Sequence, residues 1–137
     1  MQDRPNFKEL LEIVRDFLQS EAVPKTTDPH LRFRVRIAAN LLGILQRELD
    51  LEEEQLPGEL RRLQEIYPGT GAREETPENL VALKSLVATL NTRLAEEIRS
   101  CKRVAAPGDR IWRHVRATVI EKLKIANPAY LKRVGVT

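Results

Sequence analysis

Three observations predict an all-α chain. Apolar residues recur at spacings of three and four along several long segments, cap-and-proline signals mark where those segments begin, and no segment alternates apolar with polar residues between hairpin turns. Amphipathic helices bury their stripes only against one another. The expected architecture is therefore a four-helix bundle-like domain with one additional short helix. The helices are expected at about 6–23, 29–50, 59–67, 77–99 and 109–126, all within one domain spanning residues 1–137.

Each element has its own justification. The first opens on Asn6 and Glu9, spaced as a capping box behind Pro5, and carries Phe7, Leu10, Leu11, Val14, Phe17 and Leu18 as one stripe, with Pro24 as its stop. Asp28-Pro29 starts the second, since proline at the first helical position gives up an N–H that has no partner there anyway. Glu52, Glu53, Glu54 and Pro57-Gly58 read as an acidic break across residues 51–58. Leu60, Leu63 and Ile66 then mark a short helix. Thr76-Pro77 begins the long helix of Leu80, Leu83, Val87, Leu90, Leu94 and Ile98. Asp109 caps the last, whose apolar face reads as Trp112, Val115, Val119, Leu123 and Ala126, and Asn127-Pro128 stops it.

Composition narrows the function classes. With 42% apolar and 31% charged residues the chain reads as an ordinary globular protein, and its apolar runs are too short to span a bilayer. The single cysteine, Cys101, excludes an internal disulfide and fits a reducing cytoplasm; it reads as a small packed residue. Aromatics at 4% are too few for a stacking platform. Charge is uneven: residues 1–43 hold 7 basic and 6 acidic groups, residues 44–98 hold 6 and 12, and residues 99–137 hold 10 and 2. A basic third beside an acidic middle folds back on it more often than it recruits an anionic partner.

Catalytic and metal chemistry finds little purchase. His30 and His114 stand in different helices with no carboxylate in ligand register, and both read as solvated. The glycines of residues 68–73 are followed by Glu74 and Glu75, which would repel a phosphate. No cofactor, metal or catalytic residue is expected, and the balance leans away from an enzyme.

The densest pattern is Phe33–Leu49. At about 100° per residue, Arg36, Asn40, Gly43 and Arg47 form a narrow polar sector opposite a very wide apolar one. An amphipathic helix must show such a sector to water, yet the same seam could line an interface or hold a small anion. Arg34 and Glu48 project into the apolar sector, about 21 Å apart along the axis, and so cannot pair with each other. Asn91 sits beside an apolar stripe and needs hydrogen-bond partners, with inter-helix register as the simplest role. Arg110, Arg113 and Lys124 share the outer face of the last helix, where an anionic partner could bind.

The segments FRVRIAANLLGILQREL, LNTRLAEEIR and VRATVIEKLKIANPAYL resemble an uncharacterised family of small bacterial helical proteins, classed as a domain of unknown function. The resemblance runs from the first helix to Leu131. Its most specific pieces are the Arg36–Asn40–Arg47–Glu48 pattern and the ending Asn127-Pro128-Ala129-Tyr130-Leu131. Members are often encoded near aminoglycoside-phosphotransferase-like kinases and acyl-CoA dehydrogenases. That context implies an accessory role in acyl-CoA or related small-molecule metabolism, with either enzyme as a candidate partner. The leading expectation is a cytoplasmic, non-catalytic module that self-associates or docks on a metabolic enzyme. The alternatives are a small anionic-ligand binder or enzyme using Arg36, Asn40 and Arg47, and nucleic-acid binding by Arg110, Arg113 and Lys124.

Overall fold

The computed structural model describes residues 4–69 and 79–136. The fold is all-α, with no strand among the described residues. It divides into two compact units, Met1–Leu51 and Glu52–Thr137.

In the first unit, α1 (Phe7–Phe17) opens with the capping box its spacing predicts: the Glu9 N–H donates to Asn6 Oδ1 at 3.0 Å and the Asn6 N–H to Glu9 Oε2 at 2.7 Å. The helix does not stop before Pro24. It continues through a π-helical turn, Leu18–Ala22, and a short α turn, Val23–Lys25. The Val23 N–H donates five residues back to Leu18 O, immediately ahead of a proline that has no N–H to give. Asp28 Oδ1 accepts from the His30 N–H at 3.0 Å, and α2 (Pro29–Ile66) begins. Its first half runs antiparallel to α1. Lys8 meets Asp50 at 2.6 Å, and Arg15 Nη1 donates to Gln46 Oε1 at 2.6 Å. The small residues Ala39 and Gly43 are buried where α1 approaches; a Cβ on Gly43 would stand 3.7 Å from the Arg15 side chain.

The expected break at residues 51–58 is absent: α2 runs through it as one helix of 38 residues, with Pro57 inside. An internal proline costs about 3 kcal/mol. Here Leu60, Leu63 and Ile66 sit at 6% exposure or less in the core just beyond it, and burial of that size outweighs a local stop signal. Glu52, at the start of the acidic run, is paired with Lys84.

In the second unit, α3 (Leu80–Arg99) buries Leu83, Val87, Leu90 and Leu94, the expected stripe, against Leu60, Leu63, Ile66 and Tyr67 of the α2 end and Ile111. Asn79 caps α3, accepting from the Ala82 N–H at 2.8 Å; the Thr76-Pro77 start lies outside the described residues. Asp109 caps α4 (Arg110–Ala126) as expected, accepting from the Trp112 N–H at 2.7 Å after a turn whose Gly108 has φ 86°. The buried face of α4, however, is Ile111, His114 and Thr118, while Trp112, Val115 and Val119 are 39–50% exposed. Asn127 then caps a short α5 (Pro128–Arg133) that buries Leu131. No described helix is long and apolar enough to cross a membrane.

Candidate functional site

The second unit holds a chain of polar side chains linking three helices. Glu59 of α2, 8% exposed, accepts on Oε1 from Asn91 Nδ2 of α3 at 2.8 Å and from the Thr118 hydroxyl of α4 at 3.3 Å. Since Asn91 turns its NH2 toward the carboxylate, its Oδ1 is left to accept, and His114 Nε2 stands 3.0 Å from it. The imidazole is therefore the Nε2–H tautomer, and Nδ1 carries only a lone pair. His114 is 1% exposed, and Nδ1 has no partner among the described residues. Burial pushes the His114 pKa down; the Glu59 charge opposes this, while Arg62 and Lys122 reinforce it. Beside this chain, Arg62 Nη2 meets Glu121 Oε2 at 2.5 Å.

A separate cluster gathers at Tyr67. Its hydroxyl donates to Glu97 Oε2 at 2.8 Å, and the guanidinium carbons of Arg93 and Arg103 lie 4.4 and 4.8 Å from its ring centroid. Arg93 Nε and Arg103 Nε also donate to Glu97, at 3.0 and 2.5 Å. The Tyr67 hydroxyl first, then the two guanidinium groups, hold the Glu97 carboxyl down at a pKa of about 2. Burial and the adjacent Glu97 push the Tyr67 phenol up. The pattern is that of a structural clamp, in which two guanidinium groups share one carboxylate.

Two grooves flank α4. One, of about 370 Å³, lies between α3 and α4 and contains Asn91, His114 and Thr118 in its wall. The other, of about 330 Å³, is bounded by Trp112, Leu123, Tyr130 and Leu131 and is almost wholly apolar.

The residues singled out from sequence fall in different places. Asn91 is the one that belongs to the buried chain. Its partners Glu59 and His114, and Thr118 bonded in turn to Glu59, were not anticipated. His114 is buried rather than solvated, whereas His30 is exposed as expected. Cys101 is exposed, not packed, and has φ 56° where the chain leaves α3. In the first unit Arg34, Arg36 and Asn40 are exposed, and Arg47 and Glu48 are half-buried and partnered. Gly43, which shares their sector, is buried against α1, so α1 packs along the edge of that polar sector and leaves much of the apolar sector open. Arg110, Arg113 and Lys124 are exposed; Arg110 Nη1 reaches Glu65 O at 3.3 Å, and Arg113 Nε reaches Asp109 O at 3.3 Å. Among the described residues no three His, Cys, Asp or Glu side chains converge as metal ligands would.

The open apolar sector is the first unit's main surface feature. Phe7, Leu10, Ile13, Val14 and Phe17 of α1 are 41–63% exposed, and Leu31, Phe33, Ile37, Leu41 and Leu45 of α2 are 43–62% exposed. Isolated exposed apolar residues are normal, but ten of them on two paired helices are not.

No curated protein and no solved structure matches the chain. A family does match, over residues 25–130, which takes in α2, α3, α4 and the start of α5. The chain belongs to the family described as Domain of unknown function (DUF6285).

Proposed function

We propose that the protein is a non-catalytic interaction module that self-associates through its first unit. The observation that carries this reading is the exposed apolar stripe on both α1 and the first half of α2. Those ten residues expose on the order of 1,000 Å², against about 800 Å² per partner in a standard interface. Two antiparallel helices with outward stripes are half of a four-helix bundle, and a second copy related by a two-fold axis supplies the other half. Residues 1–51 hold eight basic and eight acidic groups, so two copies meet without net repulsion. Arg36 and Asn40, exposed beside the stripe, form its polar rim in this reading.

The alternative occupant is a metabolic enzyme, for which the family context suggests a phosphotransferase-like kinase or an acyl-CoA dehydrogenase in a bacterial cytoplasm. A single cysteine fits that compartment. Sedimentation equilibrium of the full chain separates the two. Self-association gives a concentration-dependent mass approaching twice 15.7 kDa. A strict monomer at every concentration overturns it, and such a monomer forming a defined complex with the purified kinase or dehydrogenase transfers the face to that enzyme.

A further inference from the structure

The groove of about 330 Å³ on the α5 side of α4 is apolar within and cationic at its edges. Trp112 and Leu123, eleven residues apart on α4, both line it, so it runs for about 16 Å, the rise of three helical turns. Trp112, Val119, Tyr130 and Val134 in its wall are 39–50% exposed, so the apolar surface is open along that length. Arg116 lines the groove with its guanidinium carbon 5.7 Å from the Trp112 ring centroid, and that of Arg133 lies 5.2 Å from the Tyr130 centroid. Trp112 and Arg116 also line an adjoining hollow that contains Arg113 and Lys124. The one carboxylate in that hollow, Glu121, is bonded to Arg62. Residues 110–136 hold seven basic groups and no other acid. Arg116, Lys124 and Arg133 have no carboxylate partner among the described residues.

We propose that this groove docks an amphipathic helix of a partner protein, about three turns long, with acidic residues flanking its apolar stripe. The stripe lies in the trough, and its aspartates or glutamates meet Arg116 and Arg133. Tryptophan, tyrosine and arginine are the residue types that carry most of the energy at such interfaces. A nucleic-acid backbone would set phosphates against Val119, Ile120 and Leu123, where nothing hydrogen-bonds them. A bilayer surface is too broad to enter a trough between two helices.

Trp112 is the chain's only tryptophan and stands in the groove wall, so its fluorescence reports occupancy directly. The test titrates the full chain, at fixed concentration, with a synthetic helical peptide free of aromatic residues whose leucine stripe is flanked by glutamates. The same peptide with lysine for glutamate, and phosphatidylglycerol vesicles, serve as comparisons. The glutamate peptide is expected to give a saturable blue shift, weakened about tenfold by Arg116→Glu. Val134→Asp should abolish it, which separates binding here from binding on the first unit's apolar face. Both substitutions are at exposed positions, and circular dichroism checks that each variant keeps its helices. No saturable shift at millimolar glutamate peptide, equal binding of the lysine peptide, or unchanged affinity in Arg116→Glu overturns the proposal. A shift with the vesicles and none with the peptide also overturns it and gives the groove to an anionic membrane. Each of these outcomes leaves the self-association reading untouched, because the groove belongs wholly to the second unit.

Discussion

The two units place their apolar side chains in opposite ways. In the second, Leu60, Leu63, Leu83, Val87, Leu90 and Leu94 are at most 5% exposed, and the polar groups among them are tied into one hydrogen-bonded chain. In the first, Ala39 is the one buried hydrophobic residue among those described, while ten large apolar side chains are 41–63% exposed. Both units use amphipathic helices of similar composition, so propensity does not explain the contrast. What differs is the number of partners within each unit: in the second, the end of α2, α3 and α4 close around a core, whereas in the first α1 is the one helix packed beside the first half of α2, too few to cover a sector so wide. The lesson is that a broad apolar sector measures how many neighbours a helix requires, and α2 in its first half has fewer than its sequence asks for.

The sharpest way to break this comparison is to truncate one leucine in each unit. Leu63→Ala, at 0% exposure, is expected to cost about 2–5 kcal/mol in urea unfolding. Leu41→Ala, at 53% exposure, should change the stability of the monomer by no more than about 0.5 kcal/mol. Equal losses at the two sites would show that the first face is covered within the chain.

Next in size is the buried polar chain. Asn91→Leu removes the link between Glu59 and His114, leaving the carboxylate with the longer Thr118 bond and taking the acceptor from an imidazole N–H, for a loss of about 2–4 kcal/mol. Chemical denaturation measures it. A near-neutral result would mean that the two groups find water instead, and that the second unit is less sealed than its apolar core.

Acid acts on the same contrast. The folded-state pKa of His114 is lowered, so below the ordinary histidine value, about 6.5, the unfolded chain takes up a proton that the folded one resists, and stability falls as pH drops through that range. Glu97 acts at lower pH. Its folded-state pKa of about 2 contributes stability that is present above its ordinary value of 4.5 and is lost as pH falls from there through about 2. Thermal melts from pH 8 to pH 2 should therefore show two declines, and Glu97→Gln should flatten the lower one while leaving the upper.

The smallest expected effect is in the first unit. A Cβ at Gly43 would meet Arg47 Nη1 at 3.3 Å, the movable end of a long side chain. Gly43→Ala in this helix interior is therefore expected to raise stability by about 0.5 kcal/mol, less than the usual helix-propensity gain. A loss above 1 kcal/mol, by the same melts, would show that α1 and α2 touch more closely than the 3.7 Å approach of Arg15.

Much of this was legible in the residues. The Asn6–Glu9 box, the Asp28-Pro29 start, the Asp109 cap and the α3 stripe all depend on neighbours within one turn, and local rules suffice for them. Three features were not legible. Continuation of α2 through Pro57 depends on Leu60, Leu63 and Ile66 being gripped by α3 and α4. The α4 face was read one register off, because a wheel counts Trp112, Val115 and Val119 as apolar and gives no credit to His114 and Thr118. Those two residues are buried because Asn91 and Glu59, 23 and 59 residues away along the chain, satisfy them. Only Asn91 betrayed that site, as an amide misplaced on an apolar stripe. The exposure of the α1 and α2 stripes was equally hidden, since periodicity marks a face for burial without saying which molecule buries it.

The central claim is that the first unit's open face is a self-association surface. Sedimentation of Phe33→Asp/Leu41→Asp beside the unchanged protein tests it most directly, because both side chains are more than half exposed and the double variant should keep its full helical circular dichroism. The account predicts a two-copy mass for the unchanged protein and a single 15.7 kDa species for the variant at the same concentration. Identical masses for the two proteins would contradict it.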